Sequence, residues 1–328
     1  MVDNQFKFLL QEWREQIDRR LFQVLDGHHP AILYDPIQYV LEGGGKRIRP
    51  ILLALSCKAV DGVLEKCWDA AVAVELLHDF TLVHDDIMDR DDTRRGRATV
   101  HKKWNSDIAL LAGDGLVALA FQSLLRTQSS KIHEIATVFT EGIIELCEGQ
   151  AFDLEFETNG DVNLKDYLDM IGRKTARLLN VSAKLGGLIG NGNEAEVQAL
   201  GNFGYNLGCG FQIQDDLLDI TSDEATMGKT YGSDVKRKKQ TYLLVHALSE
   251  ADSSIKEQLR FLLTKQEINR TQINEVKVLF EKAGSIDAAK FAINKYILSA
   301  KSNLDELHST QGKELLLSFL KYISNRNA

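Results

Sequence analysis

Apolar residues return along most of this chain at intervals of three and four, the period of helices laid against a core. Between Ala70 and Met88, the positions Ala73, Leu76, Leu77 and Phe80 fall at i, i+3, i+4 and i+7. The same pattern predicts helices around 108–127, 131–150, 164–190, 195–220, 235–250, 255–265 and 271–305. Turns are expected at Gly43 to Gly45, at Asn159-Gly160 and at Gly190 to Gly192. Strand-like alternation is scarce, no proline follows Pro50, and no linker rich in Pro, Gly or Ser divides the chain. The pattern predicts an all-α, single-domain helical bundle over residues 1–328.

Composition narrows the class of function. The chain is 44% hydrophobic and 26% charged, which suits a globular protein with a substantial core. Its net charge of −8 argues against nucleic-acid binding, which needs a dominant basic surface. Cys57, Cys67, Cys147 and Cys209 form no CxxC pair and no zinc spacing, so buried reduced thiols are expected. The N-terminus carries acids early and lacks a sustained apolar core, unlike a signal peptide. The stretch from Ile108 to Phe121 is interrupted by Asp114 and is too short for a transmembrane segment. A cytoplasmic protein is the expectation.

Two acid clusters share one spacing. The first, LVHDDIMDRDD, carries Asp85, Asp86 and Asp89; the second, FQIQDDLLD, carries Asp215, Asp216 and Asp219. On a helix Asp85 and Asp89 share a face, and like charges at that spacing repel. A cation is therefore expected to offset them. Ile213, Leu217 and Leu218 surround the second set, which suggests acids at the mouth of a pocket rather than on a solvated face. Hard carboxylate oxygens suit Mg²⁺, which takes one or two of them and completes its shell with phosphate oxygens. Two facing clusters would hold several Mg²⁺ ions around one diphosphate, with Mn²⁺ as a substitute.

Basic and glycine-rich motifs accompany the acids. Gly43 to Gly45 precede Lys46, Arg47 and Arg49, and glycine backbone lets Lys46 and Arg49 close on a phosphate. The order is not that of a Walker loop. Arg94 and Arg95 follow the first cluster, and paired guanidinium forks beside metal-holding acids make a strong diphosphate site. Lys174-Thr175 lies in GRKTARLL, and Lys229 and Lys239 follow the second cluster; the rest of the run Lys236 to Lys239 reads as solvated. His78 stands one heptad before Asp85, on the same side of the helix.

Together these residues resemble the trans-isoprenyl diphosphate synthases, or polyprenyl synthetases. The resemblance runs in motif order from Pro36 to Thr241: GGGKRIRP, ELLH, LVHDDIMD, DDTRRG, LAGD, RKT, GCGFQIQDDLLDI, MGK, GSD and KKQT. It implies an all-α bundle around a deep central cavity, and a homodimer. It implies that Asp85, Asp89 and Asp215 coordinate Mg²⁺, supported by Asp86 and Asp219, with Asp216 among the catalytic acids. Lys46, Arg49, His78 and Arg95 would bind isopentenyl diphosphate, and Arg94, Lys174, Thr175, Gln212, Lys229 and Lys239 the allylic diphosphate. Three positions depart from the family's habit: Lys238 and Asn105 where glycine is frequent, and Leu243 where proline is.

The implied reaction is an electrophilic alkylation. The allylic C–O bond breaks as cations stabilise the leaving diphosphate. The double bond of isopentenyl diphosphate attacks the allylic carbocation, and a proton is then lost to an acceptor such as the departing diphosphate. The cation needs a dry cavity, and the carbonyl near Lys174 and the Gln212 amide oxygen are expected to face it. No redox cofactor is implied. A class I terpene cyclase would lack GGGKRIRP, and a non-catalytic subunit of a heteromeric synthase would be free to lose the acids. Leu77, Phe80 and Thr81 lie on the turns before Asp85, where a growing chain would meet its floor. One aromatic, Phe80, at the fifth position before Asp85 resembles the pattern associated with C20 products, geranylgeranyl diphosphate, with C15 farnesyl diphosphate or a longer chain as alternatives.

Overall fold

The computed structural model describes residues 4–158, 162–222, 231–308 and 310–324. Contacts gather the chain into two compact units. One comprises Met1–Thr140, Val181–Gly201 and Leu304–Phe319, and the other Glu141–Asn180, Asn202–Asn303 and Leu320–Ala328.

The first unit is built on α4 (Trp68–Met88). Every residue from Ala70 to Leu77 is buried, and a helix covered on all sides belongs in the middle of a bundle. α6 (Ser106–Leu125) lies along it, with α2 (Ala31–Glu42), α3 (Ile48–Ala59) and α5 (Val100–Lys103) against this pair. α1 (Asn4–Gln23) buries one stripe, Phe6, Leu10, Trp13, Ile17 and Leu21, and its Trp13 meets Trp68 edge-on at 6.0 Å. By length and composition α6 is apolar enough to cross a membrane, and it is the one such helix among the described residues. It packs on α4, although Leu110 and Leu111 on it stay about half exposed. Asn105 caps α6, its side-chain oxygen accepting from the Ile108 amide at 2.8 Å. That cap gives asparagine a purpose at a position where the family often has glycine.

In the second unit, α8 (Leu164–Ile171), α12 (Tyr242–Glu250), α14 (Arg270–Lys282) and α15 (Ser285–Asn303) share a core with the C-terminal part of α10 (Glu194–Thr221). Tyr167, Met170, Ile213, Leu217, Tyr242 and Val245 lie at its centre. α7 (Ile132–Thr158), α9 (Arg177–Ile189), α11 (Ser233–Lys236), α13 (Ser253–Thr264) and α16 (Gln311–Ser324) complete the helices.

The all-α expectation holds: among the described residues the strands are two short ones, Thr93–Arg94 and Arg97–Ala98, joined as a hairpin. Two predicted helices are interrupted. The stretch 235–250 breaks between Lys236 and Tyr242, where Lys238 takes a positive φ of 57°. A left-handed residue ends a helix, and it explains why glycine is frequent there. Leu243 sits in the first turn of α12, where proline is tolerated, and here is buried in the core. The stretch 271–305 breaks at Gly284, with φ 69°. The turns at Gly43 to Gly45 and Gly190 to Gly192 are present, and Asn159-Gly160 lies outside the described residues. All four cysteines are free, and Cys147 is exposed rather than buried, because its stretch of α7 turns that side chain outward.

Candidate active site

The first acid cluster occupies the C-terminal end of α4. The helix ends at Met88, and the Asp89 amide donates to the Asp85 carbonyl at 2.8 Å. Acids there face the negative end of the helix dipole as well as each other, so the arrangement costs stability and calls for cations. One is in place. Arg94 Nε donates to Asp86 Oδ1 at 2.7 Å, and Asp86 is buried. Burial pushes the Asp86 carboxyl up to about 6 against the pull of Arg94. Asp85 and Asp89 are half-buried.

Arg94 reaches Asp86 because DDTRRG folds as a tight hairpin. Arg95 and Gly96 are both left-handed, with φ of 53° and 74°, the signature of a two-residue type I′ turn. The turn presents Arg95 beside the glycine loop, where a Cβ added at Gly45 would stand 3.2 Å from Arg95 Nη2. The glycines therefore let backbone close on guanidinium groups. His78 is half-buried, and burial followed by Arg49, Arg95, Arg94 and Arg47 holds its pKa well below the usual range. His78 is thus neutral and joins the same basic group. Lys46 is exposed and Arg49 half-buried.

Arg47 has a different place. It is 2% exposed and holds Asp18 and Glu75 at 2.7 Å each, with Asp79 at 3.9 Å. A cleft of about 420 Å³ opens beside these residues, lined by Asp79, Asp86, Arg94, Arg95, Arg97 and Tyr39 among others.

The expected chain-length residues lie further back on α4. Leu77 is fully buried, whereas Phe80 and Thr81 are half-buried. The Phe80 ring meets His84 edge-on at 4.6 Å, and Thr81 Oγ1 donates to the His78 carbonyl at 2.8 Å. His84 in turn fills the space over Gly113, where an added Cβ would stand 2.1 Å from its Nε2.

In the second unit α10 carries Gln212, Asp215, Asp216 and Asp219. Asp216 is buried and fully engaged. Its Oδ2 accepts from the Tyr167 hydroxyl at 2.6 Å and the Tyr242 amide at 2.9 Å, and its Oδ1 from Gln212 Nε2 at 3.0 Å. Burial pushes its carboxyl up to about 6, and those hydrogen bonds pull the other way. Gln212 Oε1 accepts from Thr175 Oγ1 at 2.9 Å, so Thr175, Gln212 and Asp216 form one chain. Asp219 takes the Ser233 and Asp234 amides, both at 3.1 Å, at the start of α11. Asp215 is half-buried.

Lys174 and Thr175 stand in a π-helical turn, Gly172–Ala176, a bulge often found at functional sites. Lys174 Nζ bonds Asp153 Oδ2 on α7 at 2.5 Å. The helices approach closely because residue 149 is glycine: a Cβ there would stand 2.3 Å from the Lys174 nitrogen. Lys239 is half-buried, its amide bonded to the Asp234 carbonyl at 3.0 Å, and Lys229 lies outside the described residues.

The donor set fits a hard divalent ion. Among the described residues no three His, Cys, Asp or Glu side chains converge as a ready cage. What the chain offers is carboxylates in DDxxD spacing beside cationic side chains, which suits an ion that completes its shell with phosphate oxygens and water.

Several residues of these arrangements were not singled out by motif. Asp79, Asp153, Tyr167 and Tyr242 lie at or beside the clusters without a spacing that marks them. Glu75, within ELLH, is the exception.

An all-α fold carrying the DDxxD spacing on two separate helices defines a narrow class, and comparison with known proteins gives its family. The polyprenyl synthetase family model matches residues 30–280. A short chain isoprenyl diphosphate synthase of Methanothermobacter thermautotrophicus is 35% identical over 319 residues, 97% of this chain and 98% of that one. A geranylgeranyl diphosphate synthase of Methanosarcina mazei is 37% identical over 312 residues, 94% of each chain. The crystal structure of a geranylgeranyl pyrophosphate synthetase from Pyrococcus horikoshii Ot3 superposes with a TM-score of 0.94 at 37% identity, covering 98% of this chain and 99% of that one. This chain belongs to the polyprenyl synthetase family and is a prenyltransferase.

Proposed function

We propose that the protein condenses isopentenyl diphosphate with an allylic diphosphate to give geranylgeranyl diphosphate, with all its site residues acting in one catalytic domain. The observation that carries this reading is the doubled acid cluster. In each copy the second acid is fixed, Asp86 by Arg94 and Asp216 by Tyr167, Tyr242 and Gln212, and in the second copy so is Asp219, by the start of α11. Asp85, Asp89 and Asp215 are the acids assigned to metal. Divalent ions, Mg²⁺ or its substitute Mn²⁺, would neutralise charge on the leaving diphosphate when bound. Lys46, Arg49, His78 and Arg95 bind the isopentenyl diphosphate, and His78 does so as a neutral donor. Arg94, Lys174, Thr175, Gln212, Lys229 and Lys239 serve the allylic diphosphate. The Gln212 amide, oriented by Thr175 and Asp216, offers its oxygen to developing positive charge. Purified protein given Mg²⁺, labelled isopentenyl diphosphate and allylic primers tests the reading directly. A C20 product supports it, and absence of any condensation sinks it.

Arg49→Ala should raise the KM for isopentenyl diphosphate about tenfold or more and leave that of the allylic primer within about twofold, since a charge-assisted bond is worth roughly 1.5–3 kcal/mol. Steady-state kinetics with each substrate varied in turn decides it. An equal rise for both means the two diphosphate sites are assigned wrongly.

Product length is assigned to Phe80. Its ring and His84 brace each other beside Gly113, so truncating it removes the bulk one turn behind the metal-binding acids. Phe80→Ala should lengthen the product beyond C20 while turnover persists, as read by mass spectrometry. An unchanged product length places the floor elsewhere.

The relatives' names support C20, and a homodimer in the cytoplasm is the assembly and place assigned. Leu110 and Leu111, about half exposed on α6, are apolar surface that a second copy would cover. Light scattering after size exclusion gives the mass.

A further inference from the structure

One buried acid takes no part in the functions assigned above. Asp79 is 1% exposed, and neither of its side-chain oxygens accepts a hydrogen bond. Its nearest ion-pair partner, Arg47 Nη1 at 3.9 Å, already serves Glu75 and Asp18 at 2.7 Å. A buried carboxyl without a donor is costly, and a carboxylate so placed is costlier still. Asp79 nevertheless lines the same cleft as Arg94 and Arg95.

We propose that Asp79 is a positioning residue for the isopentenyl diphosphate site: its dry carboxyl, hydrogen-bonded to none of the surrounding arginines, leaves Arg49 and Arg95 to the substrate's diphosphate only while it carries its proton. This rests on the assignment of Arg49 and Arg95 to that substrate. The charged groups acting on Asp79 come from every side. Burial and Glu75, on its own helix, push its carboxyl up to about 8, and Arg47, Arg95 and Arg49 pull it down. Asp86, held by Arg94, lines the cleft one heptad further along α4. A diphosphate bound to Arg95 and Arg49 adds negative charge beside Asp79 and cancels the charges that favour its ionised form. Binding therefore strengthens the hold on the proton. An ionised Asp79 instead competes for the arginines and repels the incoming anion.

Linkage gives the sign and the window. Below about pH 8 Asp79 is protonated with or without substrate, and affinity is indifferent to it. Above that, the free protein must take up a proton to bind, so KM for isopentenyl diphosphate should rise about tenfold per pH unit. Asp79→Asn keeps the shape and removes the titration. Its KM should lack that rise and fall below the wild-type value at pH 9, by about tenfold, with kcat and the allylic KM little changed. A role in folding alone would move thermal stability and leave the pH slope in place.

Calorimetric titration of the wild-type protein with isopentenyl diphosphate, at pH 8.5 in two buffers of different ionisation enthalpy, counts the protons directly. Uptake approaching one proton per ligand, lost in Asp79→Asn, supports the proposal. If wild type makes product but takes up no proton, or if Asp79→Asn keeps the slope, the proposal is overturned and the prenyltransferase reading stands. If wild type neither binds isopentenyl diphosphate nor makes product, the substrate assignment falls and takes this proposal with it. Should Asp79→Asn fail to fold, the wild-type proton count alone decides.

Discussion

Replacing Asp85 or Asp215 with Ala is expected to cut turnover about a thousandfold at saturating Mg²⁺ while the fold stays intact. The magnitude follows from what a metal-holding carboxylate supplies: several kcal/mol of charge stabilisation on a departing diphosphate, at roughly 1.4 kcal/mol per decade of rate. Folding is spared for a structural reason. The end of α4 is held through the carbonyl of Asp85, which alanine retains. Removing the carboxylate also relieves repulsion with Asp89 and with the negative end of the helix, worth a few tenths of a kcal/mol. Asp85→Ala should therefore melt at or slightly above the wild-type temperature. Asp216→Ala is the contrasting control, because it strips partners from Tyr167, Tyr242 and Gln212 and should lose stability together with activity. Steady-state turnover and thermal melts of the three variants decide the matter. Near-wild-type turnover in Asp85→Ala removes that residue from the metal site.

The helices and the acid clusters were legible in the sequence because both are local. An amphipathic stripe and a DDxxD spacing are written within a turn or two, and α4, α6, α7 and α10 stand close to where periodicity puts them. What escaped depends on conformations and partners that spacing does not encode. The run at Lys236 to Lys239 reads as a continuing helix, but Lys238 is left-handed and the chain turns there. Lys174 reads as a cation awaiting a phosphate, and its partner Asp153 lies on another helix, outside any motif. The six clustered aspartates read alike, yet Asp216 and Asp219 are enclosed by amides and hydroxyls drawn from distant stretches of chain. Spacing alone does not show which acids the fold encloses in this way; those tertiary contacts do. In GGGKRIRP, likewise, three cations read as one basic patch. The fold buries the middle one and leaves Lys46 exposed and Arg49 half-buried.

That middle residue carries the largest stability effect expected in the protein. Arg47→Ala should destabilise it by about 3–5 kcal/mol, the usual cost of leaving buried charges without their partner. The side chain of Arg47 is 1% exposed and that of Glu75 3%, so water cannot take over from the lost guanidinium. Glu75 would lose a bond of 2.7 Å and Asp18 another. The surrounding elements have few other ways to neutralise them, because α3 and α4 are almost entirely apolar where they meet. Arg47→Lys should recover only part of the loss, since an ammonium cannot extend one fork toward Glu75 and another toward Asp18. Arg47→Met combined with Glu75→Leu should recover more, because it removes a buried charge together with its partner. Arg49→Ala, two residues along but half-buried, should lower stability by under about 1 kcal/mol and show its effect in substrate affinity instead. Urea unfolding of the four variants separates these outcomes. A loss below about 1 kcal/mol in Arg47→Ala would show that the network under the glycine loop is not what holds α1, α3 and α4 together.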